Sequence, residues 1–541
     1  MSESSFEVTS SSPCSVPAIS TRSRLSLFLD RAGLQGFPWV SAIVLYTISW
    51  GWLLVVRDSY WWDDWAHILT DMHEAYAEAG HAPWFRFYNY IIRTYSPSIL
   101  HLVIFLIYFL SSMSVFRIIS DLKFRLDLVD VFQSRWIVLF YLLIPINTTR
   151  VSLNLLIYGF SLMLFFLAWY ILISFSGTMA RLLVIALIAL SFALPSLIAL
   201  MVMPLLHYLI KVREENLISD KKVFTFFFVL VSLPIIFFVT RQLYFPNHSS
   251  NYHFKSNKVD DALFLCLFGI VGLVALFFTK PFKLRSSLVG MFIGFEVCAL
   301  GLFAYMSTNQ IGEKFWLKYP TMIFGRSGWF GRQLILQPLG LSILLVATVV
   351  FLSRNRYKIE RLLMKLLLGV FVVFNLGFGF EYVVDFQKQI QVANAIENAG
   401  GDNTSKWIFI DDSTRINARG REYSVYDWAG MVSMALPTVI NSKTIENELI
   451  ISGELFATKC DDKLAVDSGK SSQDKQLDVN VVLIQGPETH WQALMNWVRD
   501  RDMGFKVTID DRPGACKPEM VTAERVSGMI PILFYFTGAK N

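Results

Sequence analysis

Charge is what this sequence has least of. Asp, Glu, Lys and Arg make up 17% of its 541 residues, against about a quarter in soluble domains, which excludes an ordinary soluble protein of this length. Net charge is only +5 and lies in short scattered clusters, whereas a nucleic-acid partner would need it gathered on one face. Five cysteines are present. Cys14 lies in the N-terminal tail, Cys266 and Cys298 in apolar stretches, and Cys460 and Cys516 in the polar C-terminal part. An oxidising compartment around that part would allow a Cys460–Cys516 bridge, the alternative being two free thiols. No internal repeat is visible, and no low-complexity segment beyond the Ser-rich start. Metal-ligand spacing is missing too: His67 and His73 are six residues apart, which does not place them on one helical face. With His81 they read as solvated histidines on a polar face. No Gly-rich turn follows Asp411-Asp412-Ser413, so that run reads as a strand-end turn.

What the chain has is apolar length. Hydrophobic residues make up 54% of it, mean hydropathy is +0.47, and 46 Phe and 15 Trp suit lipid-facing surfaces and interfacial belts. A hydrocarbon core about 30 Å thick takes about twenty apolar residues per helix. Such stretches fall at 39–56, 98–117, 136–147, 153–175, 182–195, 196–210, 223–240, 261–279, 287–306, 333–353 and 363–383. The short ones, 136–147 and the pair around Pro195, are also consistent with kinked or re-entrant segments. The first stretch is too long for a signal-peptide core and lacks a small-residue cleavage site, so it reads as an uncleaved helix. The fold class expected is an α-helical polytopic membrane protein of about 9–11 transmembrane helices with a C-terminal periplasmic mixed α/β domain.

Lys and Arg in alternate short loops set the orientation. Arg117 to Arg135, Lys211 to Lys222, Lys280 to Arg285 and Arg354 to Lys365 belong with the basic N-terminal tail in the cytoplasm. Residues 57–97, a tight turn at 148–152, 241–260, 307–332 and everything from Asp385 then face the periplasm of a bacterial inner membrane. The domains expected are a cytoplasmic tail 1–38, a membrane domain 39–384 and a periplasmic soluble domain 385–541. In the last, strand-like runs at 407–410 and 479–484 alternate with an amphipathic stretch, Glu488–Val498, and the late run 529–536 reads as a buried strand.

The loop 57–97 carries the chemistry. It opens Arg57-Asp-Ser-Tyr-Trp-Trp-Asp-Asp-Trp-Ala-His67. Trp61, Trp62 and Trp65 suit the membrane interface, but partial desolvation there disfavours the charge of Asp63 and Asp64. From Asp64 to Glu78 apolar residues recur at helical spacing. His67, Asp71, Glu74 and Glu78 fall opposite, and Gly80 stands at the C-terminal stop. Such a helix would lie on the bilayer with its apolar stripe down. A second segment, Pro83 to Arg93, places Arg86, Asn89 or Tyr90, and Arg93 on one face.

A long first external loop of two interfacial helices opening with acidic residues resembles the C-type (GT-C-like) glycosyltransferases. Within them, Asp-Asp-Trp65 followed some twenty residues on by Trp84-Phe-Arg86 looks like the Gtr-type O-antigen glucosyltransferases of serotype-converting phages and prophages. The resemblance is specific over 57–97 and architectural elsewhere. The family shows an Arg shortly after the acidic pair, where this chain has His67. The resemblance implies transfer of glucose or another hexose from a polyprenyl-phosphate donor to a lipid-linked O-antigen acceptor, with the bilayer as setting and neither metal nor cofactor. A base must take the acceptor proton, and Asp64, Asp63 and, in reserve, Asp58 are the candidates. Fixed cations should meet the leaving phosphate. Arg86, Arg93, Arg150, Arg241, Arg332 and Lys318 are the candidates, with Lys314 and Arg326 nearby. Lipid headgroups are the competing use for Arg86 and Arg93.

Two other functions fit less well. An O-antigen polymerase usually carries its large loop between later spans, and a flippase or transporter shows matched halves. Glu296, a carboxylate inside an apolar span, is a further functional candidate. Tyr423, Tyr426, Trp428, Trp491 and Trp497 are candidate faces for a saccharide, with core packing as the default.

Overall fold

A computed structural model describes residues 34–56, 59–61, 64–69, 76–77, 80–81, 83–126, 128, 133–217, 220–246, 286–307, 334–353, 356–398, 407–412, 450–452 and 478–513, with positions 414, 416–420, 423, 427 and 430–431 between them. Asp58, Asp63, His73, Lys314, Lys318, Arg326, Arg332, Tyr426, Trp428, the expected span 261–279, the run 529–536 and every cysteine but Cys298 lie outside the described residues. Cys298 is a buried free thiol.

Among the described residues, four helices are long and apolar enough to cross a membrane: Pro97–Arg125, Leu153–Ser174 with its leading turn, Lys221–Tyr244 and Tyr357–Asn398. Shorter apolar helices cover Trp39–Leu54, Ser134–Leu143, Thr178–Ser191, Ser286–Leu302 and Gln337–Ser353. The architecture is that of a helical membrane protein. The helices that surround the first loop are α1 Trp39–Trp50, α2 Asp64–Leu69, α3 Pro83–Thr94, α4 Pro97–Arg125, α5 Ser134–Leu143 and α6 Leu156–Ser174. Local chemistry sets their ends. Pro97 opens α4, where a missing N–H costs nothing, and Lys123 and Arg125 close it at the negative end of the helix dipole. The expected pair around Pro195 is one interrupted path: Thr178–Ser191, a turn through 192–196, then Leu197–Leu200 and Val202–Glu214. Proline's missing N–H favours a break there.

The longest element, Tyr357–Asn398, has 42 residues and is labelled α7. At 1.5 Å per residue it is about 63 Å long, twice a hydrocarbon core. Its first half is the span expected at 363–383. The sequence places the soluble part from Asp385, yet the helix runs through that position, because Tyr382, Asp385, Gln389, Val392 and Ile396 remain buried at helical spacing. On that buried face the residues turn from mainly apolar within the span to Asp385, Lys388 and Gln389 beyond it. Inside the span, Asn375 donates from Nδ2 to the Leu143 carbonyl (2.7 Å), an orphan acceptor at the end of α5.

Beyond α7, four strands among the described residues form a sheet in the order β2-β1-β3-β4. The strands are β1 Trp407–Asp412, β2 Ile450–Ser452, β3 Asp478–Gln485 and β4 Lys506–Pro513. β1 runs parallel to β2 and β3, and β4 returns antiparallel to β3. Helix α8, His490–Asp500, joins β3 to β4; the Thr489 side chain caps its start by accepting the Gln492 N–H, and Arg501 ends it in a left-handed conformation. Val384 of α7, Ile416, Ala493, Met503 and Phe505 form one small core beneath it.

Candidate functional site

Asp64 opens α2 and is fully buried. Its Oδ2 accepts the Trp61 N–H (3.0 Å); its Oδ1 accepts the Ser152 hydroxyl (2.6 Å) and the Asn154 N–H (2.8 Å). Burial pushes this carboxyl up to about 6, against the lowering pull of Ser152 and the N–H groups of Asn154, Trp61 and Leu153. Trp61 donates from the first loop itself, while Ser152 and Asn154 belong to the segment of two short 3₁₀ turns, Thr148–Val151 and Leu153–Leu155, that fills the tight turn expected between α5 and α6.

His67, one turn on, is a correction to the sequence reading. It is buried rather than solvated. Nδ1 lies 3.0 Å from Asn89 Oδ1 and Nε2 2.8 Å from Asn154 Oδ1. The Tyr76 hydroxyl is 2.6 Å from Nε2 and donates to Asn154 Oδ1 (3.1 Å). A helical wheel sees α2 alone, whereas this histidine faces polar groups from α3 and the 3₁₀ turns. Trp61 and Trp65 also differ from the interfacial anchors expected, since both are buried in protein. Gly80 stops the segment as its sequence implies. It has φ +71°, its N–H bonds the Ala77 carbonyl, and the His81 N–H bonds the Tyr76 carbonyl.

Arg150, four residues before Asn154 on the same segment, is also buried. Its guanidinium lies 3.4 Å over the Trp50 ring, 4.9 Å over Tyr108 and 5.8 Å over Tyr46. Nη2 has no hydrogen-bond partner among the described residues. Burial lowers the pKa of the group, yet an arginine remains charged. An aromatic cage solvates a cation by its ring faces and leaves the donor atoms for an anion.

α7 packs against the same region. Tyr382 stacks on Trp52 (5.3 Å), meets Trp61 edge-on (5.1 Å) and donates its hydroxyl to the Thr148 carbonyl (2.9 Å). Gly379 stands one turn earlier because a Cβ there would lie 2.5 Å from the Trp52 ring. Gln389 Nε2 donates to the Tyr60 carbonyl (3.2 Å) and to Asp385 (2.8 Å). Asp385 also accepts the Ala418 N–H (2.7 Å) and the Tyr423 hydroxyl. Lys388, fully buried, donates to Asp412, to Thr414 (3.0 Å) and to Asn417 (2.6 Å). Trp65 packs where a Cβ on Gly430 would come within 2.1 Å. The first loop is thus clamped between the 3₁₀ turns and α7 with the chain that follows it.

The structure fastens Asp64 by hydrogen bonds to the short segment that carries Arg150. Of the other candidate cations, the described ones are Arg241, Arg86 and Arg93. Arg241 donates from Nε to the Gly80 carbonyl (3.0 Å) and lines a crevice of about 50 Å³ whose walls are Trp84, Phe192, Phe237 and Phe245. Arg86 lies 5.9 Å over the Phe245 ring, its buried Nε without a hydrogen-bond partner among the described residues, and Arg93 is exposed. Glu296 is buried in its span, its Oε2 without a partner among the described residues. No protein-family model, curated protein or solved structure matches this chain. Sequence reasoning missed Ser152, Asn154, Trp50, Tyr108, Asp385 and Lys388, since nothing local marks residues whose role is to meet a distant side chain. Tyr423, a candidate sugar face, is a buried donor to Asp385, while Trp491 and Trp497 are exposed.

Proposed function

We propose that this protein is a membrane glycosyltransferase. It moves glucose or another hexose from a polyprenyl-phosphate carrier to lipid-linked O-antigen repeat units at the periplasmic face of the inner membrane. The observation that carries this reading is the caged guanidinium of Arg150, a buried cation with an unbonded donor, on the segment that also holds Asp64. An acceptor hydroxyl attacks C1 of the donor sugar; the new O–C1 bond forms as the C1–O bond to phosphate breaks. The acceptor's proton passes to the carboxylate of Asp64 or its neighbour Asp63, and the departing phosphate keeps the bonding electrons and meets Arg150. Arg is suited to that task because its fork matches phosphate oxygens. A single displacement of this kind inverts the anomeric centre. Arg241 and Arg86, beside apolar crevice walls, suit a phosphate tied to an isoprenoid chain, and Arg93, Arg332, Lys318 and Asp58 stand in reserve.

The test expresses wild type, Asp64→Asn, Asp63→Asn and Arg150→Met in a smooth bacterial host that makes polyprenyl-phosphate glucose. Mass spectrometry then reads the O-antigen repeat, with membrane protein level as control. Wild type should add one hexose, and loss of the base should cut transfer by about 10²-fold or more. Equal addition by all four proteins would refute the assigned residues, and an altered repeat number would hand the reading to a polymerase.

A further inference from the structure

Helix α8 is more apolar than its own core requires. Ala493 points into the small core with Val384, Met503 and Phe505, and at 100° per residue Trp497 lies roughly 40° away from it around the helix. The apolar arc continues past them for roughly another 160°, through Leu494, Val498, Trp491 and Met495. Of these, Trp491 is 69% exposed, Val498 55% and Met495 49%. His490 falls at the inner end of that arc, between Trp497 and Leu494, and Gln492, Asn496, Arg499 and Asp500 take the remaining face. A helix with a surplus apolar stripe of Trp, Met and Val, opposite a polar face, has the composition of one lying in a lipid–water boundary.

Position supplies the second observation. The core beneath α8 uses Phe380, Val383 and Val384 of α7, the residues at which the apolar span 363–383 ends. The helix is therefore held at the height where α7 leaves the hydrocarbon. Between the two helices lies a groove of about 530 Å³. Along α7 its lining changes from Phe380 and Val383 to Gln387 and Gln391, one side of the helix turning from apolar to polar away from the span. Arg501, 5.0 Å over the Trp497 ring, closes its outer part. That gradient has the order of a bilayer boundary, from acyl chain to headgroup to water.

We propose that α8 docks on the membrane surface beside the exit of α7, with Trp491, Met495 and Val498 in the boundary between headgroups and acyl chains. Docking fixes the sheet at a set height above the bilayer, and it does so whether or not the protein transfers a sugar.

The test places the full chain in nanodiscs of phosphatidylethanolamine and phosphatidylglycerol containing a phosphatidylcholine with a diazirine near its acyl carbonyl. After photolysis, mass spectrometry maps the lipid adducts. Adducts on Trp491, Met495 or Val498 are expected, with none on Gln492 or Arg499. In Trp491→Gln/Met495→Gln/Val498→Gln the adducts on α8 should be lost, while those on residues 363–383 persist and report an inserted protein. Labelled spans beside an unlabelled α8 in wild type would overturn the proposal. So would labelling on its polar face, or protection of the stripe by a soluble saccharide.

Discussion

A carboxylate buried among protein groups decides the pH behaviour at the residue scale. Burial holds the Asp64 carboxyl at about 6, so as a base it works in the deprotonated form and transfer should climb as pH rises through that value, then level off. Ser152 stabilises the charged form through its hydroxyl. In Ser152→Ala the pKa rises further, and the acid limb of the rate profile should move to higher pH with its plateau preserved. A limb that stays in place would remove Asp64 as the base and leave Asp63. For folding, the sign runs the other way from a salt-bridged acid. Between the ordinary value of 3.8 and about 6, the folded chain binds more protons than the unfolded one, so this group's contribution to stability declines as pH rises through that window. Acids in the first loop, and an arginine at a span end, were legible in the sequence because both are out of place there. The partners that give them meaning were not: Asn154 and Ser152 lie about ninety residues from Asp64, at no informative spacing.

Among the elements, α7 was the one whose sequence pattern changed meaning part-way. Its apolar half reads as a span, and its polar half reads as the start of a soluble region. Lys388 and Asp385 are ordinary surface residues by type. Their burial rests on Asp412, Thr414, Asn417, Ala418 and Tyr423, all from the following chain. Removing one partner of a buried ion pair leaves the other uncompensated. Lys388→Ala should therefore cost about 3–5 kcal/mol, seen as a lowered thermal midpoint in detergent. An unchanged midpoint would show that water takes the lysine's place at Asp412. The strands at 407–410 and 479–484 and the amphipathic stretch from 488 were readable from period alone, because a strand and a helix distribute apolar residues differently. The edge strand β2, three residues long, is too short to announce itself.

For the whole molecule, the sequence offers an orientation through its Lys and Arg clusters, with the N-terminus in the cytoplasm and the sheet in the periplasm. Alkaline phosphatase fused after Asn541 should then be active and a fluorescent protein fused there dark; the reverse pair would invert every loop. Helices are easy to read because each span is apolar over its own length. Their assembly is not, since it depends on bonds between residues far apart in the chain. One such bond bears on how the protein is made. Gln389 ties down the Tyr60 carbonyl from 329 residues later. At about 5–20 residues per second, a ribosome needs roughly 15–65 s to cover that distance. The first loop thus leaves the insertion machinery tens of seconds before its clasp is made. A ribosome stalled before codon 389 releases a chain with its early helices in the bilayer and that clasp absent, a ready substrate for membrane proteolysis.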